Sequence, residues 1–116
     1  MTDLRNRREL IASRVKLARQ YAGLSQGQIA ALLKIPRPSV SEVEAGRRRV
    51  SAEELAEFAN LCGVSVAWLA GENTDSVDHD RDRIDLAARE LNKLKSEDVD
   101  RIMKLLLAMR TASGTP

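Results

Sequence analysis

The chain has 116 residues, of which 43% are hydrophobic, 31% charged and only 3% aromatic, a composition typical of a folded helical domain and unlike an aromatic-rich β-sandwich or barrel. One Cys and one His exclude an intrachain disulfide and a cysteine-rich zinc finger, and no apolar run reaches the roughly 18 residues that span a bilayer. The net charge of +2 is uneven, because residues 1–50 carry eleven Lys and Arg against four Asp and Glu; this half is the candidate for binding a polyanion, and the alternative is an ordinary solvated helix surface.

Two capping boxes and one apolar repeat indicate three of the helices in the first part of the chain. Apolar residues between positions 10 and 21 recur at helical spacing and predict the first helix. Ser25 with Gln28 three residues later has the pattern of a capping box, which opens the second helix. Ser51 and Glu54 repeat this pattern and open the fourth helix.

Two further helices are indicated by breakers and by spacing. Pro36 ends the second helix, and a third helix follows up to Gly46, with Val40 and Val43 on its inward face. A short fifth helix is predicted within residues 65–71, opened by a serine and closed by a glycine. Five helices joined by short turns predict a compact all-α bundle without a sheet.

Three ordered segments resemble the Cro-like phage-repressor regulators, often called the xenobiotic-response-element (XRE) family. Residues 24–30, Leu-Ser-Gln-Gly-Gln-Ile-Ala, are similar to the first helix of that family's helix-turn-helix. Residues 39–46 resemble its recognition helix with the closing glycine, and residues 63–69 resemble its last helix. The resemblance covers residues 10–71. It implies a five-helix lambda-repressor-like DNA-binding domain over residues 1–71, with double-stranded DNA as its partner.

The third helix has the chemistry that a recognition helix needs. With two valines pointing inward, its polar face points outward and fits the major groove. Arg37 can donate two hydrogen bonds to guanine, and Glu42 can accept one from the amino group of cytosine. Pro38 pushes the residue before it away from helical angles. We therefore expect the helix to begin at Pro38, with Arg37 outside it.

The resemblance implies further contacts. It places Gln26 on a phosphate, the arginines that follow the recognition helix on the DNA backbone or minor groove, and Arg19 with Glu44 in a partly buried ion pair that orients the recognition helix. The residues predicted to contact DNA are Ser25, Gln26, Arg37, Pro38, Ser39, Ser41, Glu42, Arg47, Arg48 and Arg49.

The remainder of the chain is predicted to be a linker and a helical segment. Residues 72–82 are rich in acids and small polar residues and indicate an exposed linker. Apolar residues then recur at helical spacing over residues 83–110, with Ser96 as the cap of a final helix, and residues 111–116 are expected to be a frayed tail. The apolar surface of that final helix either packs on the five-helix domain or pairs with another chain, and pairing is favoured. The predicted dimerisation residues are Val99, Ile102, Met103, Leu105, Leu106 and Met109.

These patterns predict a transcriptional regulator, most simply a repressor that binds an inverted-repeat operator as a homodimer. The alternative is a protein-binding role, in which the C-terminal helices hold a toxin or another protein, or in which a partner protease clears the regulator. No nucleophile–base pair, carboxylate pair or phosphate-binding glycine loop is visible, so we expect no catalytic residues, no metal and no cofactor. The first residues have no apolar signal segment, so we expect a cytoplasmic protein without a membrane partner.

Overall fold

A computed structural model of the protein describes residues 2–72 and 77–112, with side chains described from residue 6 onward. Over these ranges the chain is all-α, as predicted, and has no strand. The helices are α1 (Thr2–Tyr21), α2 (Gln26–Leu33), α3 (Arg37–Glu44), α4 (Ala52–Cys62), α5 (Val66–Leu69), α6 (His79–Leu91) and α7 (Ser96–Ala112).

The chain forms two compact units, Met1–Arg83 and Ile84–Pro116. The first unit holds α1 to α5 and the first turn of α6. Its core consists of apolar side chains from all five of those helices, because each short helix has one apolar stripe to bury. The largest of these with almost no exposed surface are Leu10, Val15, Ile29, Val40, Val43, Phe58 and Leu69.

Both capping boxes are confirmed. At the start of α2, Ser25 Oγ accepts a hydrogen bond from the Gln28 amide at 3.0 Å, and the Ser25 amide donates to Gln28 Oε1 at 2.7 Å. At the start of α4, Ser51 and Glu54 exchange the same two bonds at 3.1 and 3.0 Å. Each box satisfies donors that the first turn of a helix leaves without a partner, so both helix starts follow from the local sequence.

The start of α3 differs from the prediction. The helix begins at Arg37 and not at Pro38, so the expectation that Arg37 lies outside it is wrong. Pro36 is the N-cap and its carbonyl accepts from the Ser39 amide at 2.9 Å. Pro38 therefore occupies the first turn, where its missing N–H has no intrahelical partner to lose.

The predicted linker at 72–82 is also only partly correct. Residues 73–76 lie outside the described residues, but α6 already begins at His79 and the side chain of Asp82 is 1% exposed. Asp80 and Asp82 occupy the first turn of α6, where negative charge is favourable to the helix dipole. Sequence alone does not distinguish such a turn from an acidic linker.

Three other boundaries shift. The first helix extends back to Thr2, well before the apolar repeat at 10–21, because the charged residues there are good helix formers. Ser96 is the first residue of α7 and not its cap, and the Lys95 carbonyl accepts from the amides of the first turn. Thr111 continues α7, which ends at Ala112, so the expected tail at 111–116 begins too early; residues 113–116 lie outside the described residues.

Gly71 follows α5 at the point where that helix contacts α1. Its φ is +80°, in the left-handed region that favours glycine, and a Cβ there would collide with the side chain of Leu10. Arg7 Nη1 donates to the carbonyl oxygens of Ala70 and Gly71 at 3.1 and 2.8 Å. The start of α1 is therefore held to the end of α5 by both packing and hydrogen bonds.

Candidate nucleic-acid interface

Two buried valines set the orientation of α3. Val40 and Val43 are 0% and 2% exposed, as their spacing predicts. The opposite surface of α3 carries the polar residues predicted to contact bases. Arg37 and Pro38 are exposed at its first turn, and Ser39 is half-buried beside them. The N-terminal turn of α3, which reads bases in helix-turn-helix proteins, is thus accessible.

The start of α2 lies against the start of α3. A Cβ added to Gly27 would lie 3.9 Å from both Arg37 Cδ and Ser25 Oγ, so the stem of Arg37 runs beside the first turn of α2. The structure therefore brings Ser25, Gln26 and Arg37 together. The N-terminus of a helix presents backbone amides and a positive dipole end, which suit a phosphate group.

A buried ion pair joins α1 to the end of α3. Arg19 Nε donates to Glu44 Oε2 at 2.6 Å, and Arg19 Nη2 donates to Glu44 Oε1 at 2.9 Å. The third nitrogen, Nη1, donates to the Leu24 carbonyl in the turn before α2 at 2.8 Å. The two side chains are 10% and 3% exposed. A planar guanidinium bound at two edges has one orientation, so the pair fixes the end of α3 against α1.

Gln26 belongs to the same network. Its Nε2 donates to Glu44 Oε1 at 3.1 Å, so the residue predicted to contact a phosphate is itself held by the ion pair. The sequence predicts separate roles for Gln26 and Glu44. Their contact has no local signal, since it joins the first residue of α2 to the last residue of α3.

The three arginines after α3 differ in their partners. Arg47 donates to both carboxylate oxygens of Glu42 at 2.8 and 3.3 Å, with the side chains 65% and 44% exposed. Arg48 donates to both oxygens of Glu54 at 3.2 and 3.0 Å. Arg49 is exposed and, in the part of the chain that the structure describes, has no hydrogen-bond or ion-pair partner.

Both ion pairs lower the pKa of their glutamate. The hydrogen bond from Arg47 lowers the pKa of Glu42 below its ordinary value, and the hydrogen bond from Arg48 lowers the pKa of Glu54 in the same way. Both carboxylates are therefore ionised at neutral pH, as the bonds to their arginines require. Glu42 is predicted to accept a hydrogen bond from cytosine, but both of its carboxylate oxygens accept from Arg47. Ser41, which is also predicted to contact DNA, lies half-buried on the same helix.

Arg14 forms a second buried cluster, which the sequence patterns do not indicate. Arg14 Nη2 donates to Asp82 Oδ1 at 3.0 Å, Nη1 donates to the Trp68 carbonyl, and the guanidinium lies 4.8 Å from the Trp68 ring centroid. Both charged side chains are almost fully buried. The cluster holds the first turn of α6 to α1 and α5, and nothing in the spacing of residues so far apart predicts it.

In the second unit, α7 has no buried residue. Of the predicted dimerisation residues, Val99 and Ile102 are half-buried and the others are exposed, as is Leu107. The exposed set in α7 is Met103, Leu105, Leu106, Leu107 and Met109. These residues spread over a wide part of the helix circumference, and an exposed apolar surface of this kind is typical of a site that contacts a partner.

Within residues 2–72 and 77–112, no His, Cys, Asp or Glu cluster has the arrangement to hold a metal ion. In the same residues, no helix combines the length and the hydropathy that crossing a membrane requires.

Known proteins share this sequence pattern and this architecture. A sequence profile described as a helix-turn-helix domain matches residues 10–70. The chain is 32% identical over 89 residues to the HTH-type transcriptional regulator ImmR of Bacillus subtilis (strain 168), covering 76% of this chain and 70% of that protein. A crystal structure of the hypothetical transcription factor NHTF from Neisseria has a TM-score of 0.54 at 25% identity, covering 69% of this chain and 84% of that one. A transcriptional regulator from Listeria innocua shares the fold, with a TM-score of 0.50 at 24% identity over 88% of this chain and 94% of that one.

Proposed function

The chain belongs to the XRE-type helix-turn-helix family of DNA-binding transcriptional regulators, and we propose that it is a cytoplasmic repressor that binds an inverted-repeat operator as a homodimer. The observation that carries the proposal is the accessible first turn of α3, held in one orientation by two buried valines and by the Arg19–Glu44 pair. A fixed helix with an exposed polar end is what major-groove reading requires.

The residues divide into those that read bases and those that hold the backbone. Arg37 leads the first group, because it stands at the N-terminal end of α3 and can make a bidentate contact with guanine. Ser39 and Ser41 are small enough to let the helix approach the groove. Glu42 contributes to base reading only after release from Arg47, so its share in specificity is smaller.

The residues that contact the DNA backbone in this proposal lie on both sides of α3. Gln26 and the first amides of α2 meet a phosphate on one side of α3. Arg49 is the principal backbone contact on the other side, since Arg48 and Arg47 are bound to carboxylates. Such contacts fix the register of the protein on DNA and carry no sequence information themselves.

Dimerisation follows from the apolar residues of α7. One recognition helix reads too few base pairs to select a site, whereas two helices one DNA turn apart, about 34 Å, read an inverted repeat. A twofold axis places the exposed set of α7 against the same set of a second copy, so that one self-complementary interface covers part of it in both chains. The predicted dimerisation segment at 83–110 contains all of α7 except its last two residues, and most of α6.

DNA recognition is tested by selecting fragments from random double-stranded DNA and measuring binding by fluorescence anisotropy. We expect an enriched inverted repeat and an affinity that falls steeply with salt as counterions are released. Arg49→Ala should weaken binding to every sequence, and the matched control Arg81→Ala, which removes an exposed arginine from α6, should not. Equal binding to all sequences contradicts the proposal.

The dimer is tested by sedimentation of point variants. Leu106→Glu places a charge in the proposed interface and should give a monomer that binds the operator weakly. Lys104→Glu introduces the same side chain at an exposed charged position of α7 and should remain a dimer. A wild-type monomer at micromolar concentration refutes the homodimer and favours the second candidate function. In that alternative, a toxin or other protein partner covers the exposed apolar set of α7.

A further inference from the structure

A cavity of about 270 Å³ lies in the first unit, between α1 and the loop that follows α3. Its wall is apolar where it meets the core, with Ile11, Ala12, Val43 and Val50 on its surface. Ile11 and Ala12 belong to α1, Val43 belongs to α3, and Val50 lies in the loop that follows α3. None of the residues that the proposed function places on bases lines this cavity.

The charged residues that line the cavity, among those that the structure describes, are all arginines. Arg7, Arg8, Arg48 and Arg49 line it, and no carboxylate is among its described lining residues. Arg7 is held in place by its bonds to two backbone carbonyls. Arg8 and Arg49 have no hydrogen-bond or ion-pair partner among the residues that the structure describes. Guanidinium groups of this kind beside an apolar wall form a site for an anion that has a large apolar portion.

The volume of the cavity limits the size of the apolar portion of the ligand. An apolar protein cavity of about 150 Å³ holds benzene, so this cavity has room for one or two fused rings with a charged substituent at the rim. We infer that the cavity is a binding site for an aromatic monocarboxylate, whose rings lie on the apolar wall and whose carboxylate accepts hydrogen bonds from Arg8 and Arg49. A carboxylate fits the two-pronged donor geometry of arginine.

A ligand in the cavity also affects DNA binding, and this part of the inference rests on the proposed function. Arg48 and Arg49 line the cavity and also belong to the predicted backbone contacts. A carboxylate bound to Arg49 competes with a phosphate for the same donors and reduces the positive charge that faces DNA. The ligand and the operator therefore oppose each other, and by linkage each lowers the affinity of the other by the same factor. The aromatic acid acts as an inducer.

Calorimetric titration of the full chain tests the site without DNA. The probes are 2-naphthoate, its neutral analogue 2-naphthylmethanol and acetate, which has the charge without the rings. We expect 2-naphthoate to bind at least tenfold more tightly than the alcohol, because a hydrogen bond to a charged group contributes about this factor. It should also bind at least tenfold more tightly than acetate, because acetate has no rings to bury on the apolar wall. Arg8→Gln should weaken 2-naphthoate binding about tenfold, and Val50→Phe, which fills the cavity, should abolish it. The matched control Arg81→Gln should bind as the wild type does, and the helical circular dichroism of every variant should be unchanged. Equal affinity for the acid and the alcohol, or equal weakening by Arg8→Gln and Arg81→Gln, overturns the site.

Anisotropy titration of the selected operator then tests regulation. Saturating 2-naphthoate should weaken operator binding at least fivefold relative to acetate at the same ionic strength, the lower end of typical coupling. In Arg8→Gln the same concentration should have little effect. Unchanged operator affinity with the cavity occupied overturns the inducer role. If the chain selects no DNA sequence, the proposed function fails, while the calorimetry still decides whether the cavity binds the acid.

Discussion

Replacing Glu44 with Ala should destabilise the domain more than any exposed charge removal. The substitution leaves Arg19 with one acceptor, the Leu24 carbonyl, and removes the acceptor of Gln26 Nε2. The guanidinium stays in a site where its side chain is 10% exposed, so its lost pairing is not replaced fully by water. Breaking a buried pair costs 3–5 kcal/mol, and we expect about 3 kcal/mol because some solvent reaches this one.

This loss is large relative to the stability of a small domain, which is about 5–15 kcal/mol in total. For a domain of 60–100 residues, 1 kcal/mol corresponds to roughly 4–8 °C in Tm. The expected drop in Tm is therefore roughly 12–24 °C. Urea unfolding followed by Trp68 fluorescence measures the loss directly, since Trp68 is the single tryptophan and is buried.

Two variants separate the buried pair from general effects of charge. Glu42→Ala removes a carboxylate from the same helix, but its pair with Arg47 is exposed, so the urea midpoint should hardly move. The double variant Arg19→Met with Glu44→Leu replaces both charges with apolar groups and should lose much less than Glu44→Ala alone. Equal losses of stability in the single and double variants, or a loss from Glu42→Ala as large as that from Glu44→Ala, would contradict a stabilising buried pair.

Three further outcomes are expected. Arg37→Ala should relax base preference at one operator position at a cost of about 1–3 kcal/mol, measured by anisotropy with operator variants; an unchanged preference would show that Arg37 does not contact a base. The arginine partner of Glu54 lowers the folded-state pKa of that carboxyl, so its contribution is present above the unfolded pKa near 4.5 and is lost as pH falls through the folded value. Glu54→Gln should therefore flatten the acid side of a plot of urea midpoint against pH, and an identical slope in the variant would contradict this. Burial raises the pKa of Cys62 to about 11, so a thiol reagent at about pH 8 should label it only after unfolding; fast labelling of the folded chain would disagree.

Local patterns account for what the sequence predicted well. The capping boxes at Ser25 and Ser51 depend on residues three positions apart, and the structure has both. The inward direction of Val40 and Val43 follows from their spacing on one helix. The all-α architecture and the family follow from the same short segments, because each carries its own start, stop and apolar stripe.

Distant contacts account for what it missed. Asp82 looked like part of an acidic linker because its partner Arg14 is 68 residues away, and no spacing rule connects them. The start of α3 at Arg37 has a local cause instead, since the first turn of a helix tolerates proline even though a residue before proline is pushed away from helical angles. The link from Gln26 to Glu44 was missed for the same reason as the buried cluster, since it exists only once α2 and α3 have packed.

Ion pairs with carboxylates, and not only the number of basic residues, determine which part of the first unit attracts DNA. The excess of +7 in residues 1–50 suggests a broad basic surface, but Arg14, Arg19, Arg47 and Arg48 are each bound to a carboxylate. Each such pair is close to neutral at a distance, so its arginine adds little to the long-range field. The dependence of operator affinity on salt should accordingly be shallower than the count of arginines implies, because only phosphates neutralised by available cations release counterions. We therefore expect exposed Arg37 on the reading helix and Arg49 in the loop after it to be two of the cations that contact DNA.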